Sequence, residues 1–190
     1  MKKVAWLELI ALNAAMFMLQ IASGGTLTNL LAFVPATALQ HPWTILTSLF
    51  LHANPMHLLF NMWALFVFGP LLEKTVGRNK FLAIYFISGI VGNVGFALFY
   101  PPATAGIGAS GAIYGIIGAL AMILPNLVVL VFFLPLPLWM AAIGWALLEF
   151  FSSFSPSPIA NLVHLTGLFA GALWGLKLRN EISSEWQYYK

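Results

Sequence analysis

Apolar residues run through this chain in six long stretches, broken by short polar or proline-rich interruptions. The runs cover about 4–22, 56–72, 81–100, 110–124, 127–151 and 159–178. Each is read as a helix long enough, or nearly long enough, to cross a bilayer. Pro101-Pro102 and Pro125-Asn126 end two of them, and Pro135 and Pro137 predict a kink or an irregular start in the fifth. A polar turn at 73–80, a Ser/Pro loop at 152–158 and a polar tail at 179–190 complete the punctuation. One connection stands out. Residues 23–55 hold Gly, Thr, Pro and Asn beside Leu30, Phe33, Trp43 and Phe50, with no charged residue at all. A connection of that length is usually functional, and its greasy character places it in the membrane interface. The expected fold is an all-α membrane protein. It is a single domain over 1–190, a bundle of six transmembrane helices with a long membrane-associated loop between helices 1 and 2.

Composition supports lipid as the solvent. Hydrophobic residues make up 61% of the 190 and charged residues only 7%, against about 25% charged in a soluble domain. The first run lacks a small-residue cleavage site and is expected to remain as a span rather than be removed as a signal peptide. An even number of spans puts both termini on one side. All eight Lys and Arg then fall on that side, which the positive-inside rule assigns to the cytoplasm. The protein is therefore expected to be multi-pass with both termini cytoplasmic, in the cell (plasma) membrane. The basic excess is too small and scattered for nucleic acid. Cys is absent, which excludes disulfides and cysteine nucleophiles, and there is no Asp, which excludes a Ser-His-Asp triad. No metal or other cofactor is expected.

Polar side chains collect near the outer ends of the second, fourth and sixth runs. They are His57 and Asn61, Ser110, and His164. All four sit within about two turns of their helix ends, at matched depth. His57 and Asn61, four apart, share a helix face. Gly111, Gly115 and Ala119 repeat every four residues in the fourth run, as do Gly167, Gly171 and Gly175 in the sixth. Such small-residue ridges let membrane helices approach closely. Packing one on the other carries His164 towards Ser110, a nucleophile with a base. Attack on a carbonyl also needs oxyanion donors. His57 and Asn61 are placed to supply them, and the backbone N–H groups at the start of the fourth run can add more. Tyr114, one turn beyond Ser110, is expected to pack on the His164 ring. Taken singly, each feature has a plainer reading: Gly-Ala-Ser-Gly as helix packing, His164 as a buried hydrogen-bonding residue, His57/Asn61 as a helix–helix contact. Their combination favours catalysis. His52 is expected to order the loop end and His41 to be structural. Glu73 lies on the wrong side to act as an acid. Glu149 reads as an interfacial acid, since nothing in the sequence aims it at His164.

His52-Ala-Asn-Pro-Met-His57-Leu-Leu-Phe-Asn61, then Gly108-Ala-Ser110-Gly111, then His164-Leu-Thr-Gly167, together resemble the rhomboid intramembrane serine proteases. The match extends over nearly the whole chain in order and spacing, including Glu73-Lys-Thr-Val-Gly77. The resemblance implies a minimal six-helix core, a Ser110–His164 dyad and an oxyanion site from His57, Asn61 and the Ser110 N–H. Tyr114, Gly108, Gly111 and His52 support them. It also implies substrates that are transmembrane segments of membrane proteins, cut near their outer end, with the lipid bilayer as the other partner. Two positions depart from the family pattern. Thr44 follows Trp43 where Arg is common, and Val163 precedes His164 where Ala is common. The fifth run with its outer loop, 151–160, is the expected gate. The alternatives are a non-catalytic rhomboid-like protein that binds transmembrane segments and a small transporter. The first predicts loss of Ser110 or His164. The second predicts polar groups nearer mid-membrane.

Overall fold

The computed structural model describes residues 4–155 and 160–187, with side chains in the last helix as far as Glu181. Its first helix, α1 (Ala5–Ala22), starts where Glu73 reaches across to it. The Ala5 and Trp6 backbone N–H groups donate to the two Glu73 carboxylate oxygens, both at 3.0 Å. These are orphan donors at the positive end of a helix, so a carboxylate suits them. Glu73 lies near the end of α4 (Pro55–Val76), so this contact sets α1 and α4 antiparallel.

The connection between α1 and α4 is short-range structure pinned to the bundle. It contains α2 (Thr26–Leu31), α3 (Thr44–Thr47) and 3-10 turns at Pro35–Thr37 and Ser48–Phe50. Phe33 and Gly106 exchange backbone hydrogen bonds of 3.1 and 2.8 Å. Asn93 Nδ2, from the helix that follows α4, donates to Ile45 O at 2.7 Å and Ser48 Oγ at 2.9 Å. Thr44, at the departure from the family pattern, is buried and turns its hydroxyl onto His41 O at 2.7 Å. Backbone pairing and the buried Asn93 amide thus hold the connection to the bundle.

Asn54 caps α4 by accepting the His57 N–H at 2.9 Å, and Pro55 takes the first helical position. The helix runs on through Glu73, Lys74 and Thr75 to Val76. The polar turn expected at 73–80 is therefore one residue, Gly77 at φ +81°, before α5 (Arg78–Phe99). Only the left-handed glycine breaks the helix there.

Next come α6 (Ser110–Ile123), a hairpin of β1 (Val128–Val131) and β2 (Leu134–Pro137), α7 (Leu138–Ser152) and α8 (Asn161–Gln187). The hairpin corrects the helix expected over 127–151. Val131 pairs with Leu134, and Phe132 and Phe133 turn between them, both at positive φ. Pro135 and Pro137 cannot donate within a helix, and the run before them is β-branched. The helix begins only at Leu138, directly after Pro137. The polar tail expected from 179 continues the last helix as far as Gln187, because no Gly or Pro interrupts it. Within the expected gate, 156–159 lie outside the described residues.

Among the described residues, α1, α4 and α5 are long and apolar enough to cross a membrane, and α6 and α7 are shorter apolar helices. At the centre α5, α6 and α8 pack against one another, and the facing glycine ridges of α6 and α8 meet pair by pair. A Cβ on Gly167 would stand 2.1 Å from Gly111 O, one on Gly171 1.9 Å from Gly115 O, and one on Gly175 2.6 Å from Ala119 O. Backbone touches backbone along this seam, the close approach that small residues permit.

Candidate active site

The seam ends at its mouth in Ser110 and His164. Ser110 is the first residue of α6 and half-buried. It follows Gly108, whose φ is +131° and whose N–H donates to Ser48 O at 3.0 Å. That backbone is one glycine tolerates and other residues rarely adopt. His164 lies in the first turn of α8 and is buried. Its Nε2 is 2.7 Å from Ser110 Oγ. The Tyr114 ring stacks on the imidazole with centroids 4.5 Å apart and planes 5° from parallel. The N–H groups of the first turn of α6 have no carbonyl to reach within their own helix, so they are available beside the serine.

The structure puts His57 against the same spot. The Ala53 N–H donates to His57 Nδ1 at 3.2 Å. A neutral ring accepting there carries its proton on Nε2. That nitrogen would lie 3.0 Å from a Cβ built on Gly108, and Ser110 Oγ only 3.7 Å from it. Any side chain at 108 would displace the ring. Asn61 is buried one turn below, but its Nδ2 donates to His57 O at 2.8 Å. Its amide is thus turned to its own helix and not towards Ser110.

Glu149 corrects the reading of an interfacial acid. It reaches inward from α7, with Oε1 2.9 Å from His164 Nδ1 and 2.5 Å from the Tyr114 hydroxyl. The sequence spacing could not show this, because Glu149 and His164 sit on different helices. Glu73 is committed to α1, as described above. Among the described residues no three His, Asp or Glu side chains converge as metal ligands do.

His52 is fully enclosed at 2% exposure, clamped through its backbone by Gln20. Its ring meets His57 edge-on at 5.1 Å. Burial, and secondarily repulsion from His57, pushes its imidazole from 6.5 down to about 4. The unfolded chain therefore binds the proton first. Stability is full above about pH 6.5 and falls as the pH drops towards 4, by up to about 3 kcal/mol. Thermal unfolding in detergent from pH 7 to 4 should show this slope, flattened in His52→Phe. Equal slopes in the two proteins would remove His52 as the cause.

A family model described as the Rhomboid domain matches residues 39–181. The chain belongs to the rhomboid family. This rhomboid is 45% identical over 76 residues to the putative rhomboid protease YdcA of Bacillus subtilis, covering 40% of this chain and 38% of that protein. It is 39% identical over 118 residues to the rhomboid protease GluP of the same organism, covering 58% and 23%. With the rhomboid protease GlpG of Haemophilus influenzae it shares 29% over 133 residues, 70% and 68% of the two chains. The first two alignments thus take in less than two-fifths of those relatives' length. Family and apolar helices together make this rhomboid an integral membrane protein.

Proposed function

We propose that this rhomboid is an intramembrane serine endopeptidase that cuts transmembrane segments of membrane proteins near the outer face. The observation that carries the proposal is the 2.7 Å contact between Ser110 Oγ and His164 Nε2 at the head of α6. His164 takes the serine proton as Oγ bonds to the carbonyl carbon. The oxyanion is met by the Ser110 N–H and by His57 Nε2–H. Asn61 joins when its amide swings off its own helix carbonyl. His164 then protonates the leaving amine, and water resolves the acyl-enzyme. The half-buried serine lets water and substrate in, while the buried imidazole is shielded from lipid.

The proposed topology has six spans, α1, α4, α5, α6, α7 and α8, in one membrane domain. Both termini are cytoplasmic, where the basic residues gather. The connection over residues 23–54 and the heads of α4, α6 and α8 lie at the outer face of a plasma membrane. A substrate helix must unwind to offer its carbonyl, so segments with helix-breaking or small residues are preferred.

A fluorophosphonate probe tests the dyad without a known substrate. The expected result is covalent labelling of Ser110 in the folded wild type and none in His164→Ala. A folded wild type that takes no label would favour the alternative, a non-catalytic rhomboid-like binder of transmembrane segments.

A further inference from the structure

The active-site serine and histidine have a third neighbour, and its placement is hard to explain by packing. Glu149 sits on α7 among side chains that face outward: Leu147, Leu148, Phe150 and Phe151 are 46–66% exposed. Its own side chain is only 14% exposed. A carboxylate at membrane depth is costly unless partners hold it. Two do. The Tyr114 hydroxyl donates to Oε1 at 2.5 Å, and His164 Nδ1 lies 2.9 Å from that same oxygen. Tyr114 is in turn stacked on the imidazole. Carboxylate, phenol and imidazole thus form a closed triangle across α6, α7 and α8. The ring nitrogen away from the serine is the one that faces the acid.

We infer that Glu149 is a positioning residue for His164, which makes the site a Ser110–His164–Glu149 triad rather than a dyad. The inference rests on the proposed protease reading and specifies who orients its base. A carboxylate beside Nδ1 keeps the proton on that nitrogen and leaves the Nε2 lone pair for the serine. As Oγ bonds to the substrate carbonyl, its proton passes to Nε2. Nδ1 keeps its own proton, and the carboxylate stays ionised beside the imidazolium. When the C–N bond breaks, the Nε2 proton leaves with the amine. In the resting structure the carboxylate approaches Nδ1 obliquely, short of a linear hydrogen bond. Catalytic hydrogen bonds commonly align only in the substrate complex. Oε2 is buried with no hydrogen-bond partner among the described residues, so a small turn of the carboxylate costs it no bond. The titratable groups around His164 are Ser110 and Tyr114 from α6, Glu149 from α7 and His57 from α4.

The test uses the full chain in detergent or liposomes with a cleavable transmembrane substrate. Glu149→Gln keeps the shape but offers a donor amide, which favours the wrong tautomer. Expected is a fall in kcat of about 100-fold or more with KM within about threefold, as for the amide variant of a triad acid. Glu149→Asp, which restores the carboxylate, is expected to recover about tenfold of that loss. A Gln variant with kcat within threefold of wild type overturns the inference while the Ser110–His164 reading stands. So does an effect confined to KM. A wild type that neither cleaves nor takes a fluorophosphonate removes the protease reading and this inference with it. Where the Gln variant fails to fold, 15N spectra of histidine-labelled wild type decide. The His164 resonance, assigned by its loss in His164→Asn, should carry the proton on Nδ1. A proton on Nε2 overturns the inference.

Discussion

Replacing Ser110 with alanine is expected to bring cleavage of a transmembrane substrate to background, a loss of about 10⁴-fold or more. The fold should survive. Ser110 caps nothing: the N-cap position is Ala109, and no side chain there bonds the helix end. Its hydroxyl bonds His164 Nε2, and a single such bond contributes on the order of 1 kcal/mol. In a chain of this size that corresponds to roughly 2–4 °C in melting temperature. The alanine methyl fits where the serine Cβ already stands, so no cavity opens. The decisive measurement pairs a cleavage assay on a reconstituted transmembrane substrate with a thermal melt of the same preparation. Cleavage retained by a well-folded Ser110→Ala protein would sink the serine mechanism. Loss of cleavage together with loss of the folded state would instead make Ser110 structural, against the geometry at the head of α6.

Much of this arrangement is legible along the chain because membrane helices pack by a simple rule. Two four-residue small ridges predict which helices touch, and the observed glycine contacts follow them residue by residue. That single inference brings Ser110 within hydrogen-bond distance of His164. Other features are not legible, for identifiable reasons. Hydropathy treats Val128–Pro137 as one more greasy run, because a short apolar stretch has the same burial signal as strand or helix. The two prolines marked an irregularity without saying that the chain reverses. Glu149 escapes because its partners lie on other helices, and no spacing rule connects a residue near the end of α7 to the start of α8. Its one sequence clue was chemical: a lone acid in an apolar helix asks for a partner. Asn61 shows the opposite limit. Its place on the His57 face is readable, but the rotamer that turns its amide to His57 O is a local competition that sequence does not reveal.

The seam also gives the largest stability effect, and one methyl group can be made to read it twice. Gly171→Ala puts a Cβ 1.9 Å from Gly115 O, with Gly115 C and Cα also within 2.6 Å. These neighbours are backbone of a buried helix and cannot rotate away. Gly115 has no room to retreat either, since Ser88 lies behind it, 2.1 Å from where its own Cβ would be. The helices must part by an ångström or more to restore contacts of about 3.5 Å. The cost should reach or pass the upper end of the roughly 1–3 kcal/mol typical of overpacking, a fall of about 6–12 °C in melting temperature. Activity should fall with it, because α8 carries His164 away from Ser110 as the seam opens. Gly144→Ala is the matched control. A Cβ there meets nothing within 4 Å, so the same methyl only improves helix propensity, and stability should hold or rise by up to about 1 kcal/mol. Opposite signs at two helical glycines cannot come from propensity, which favours alanine at both. A Gly171→Ala protein that melts within about 2 °C of wild type, under 1 kcal/mol on the same scale, would mean the backbone seam is not what holds α6 to α8.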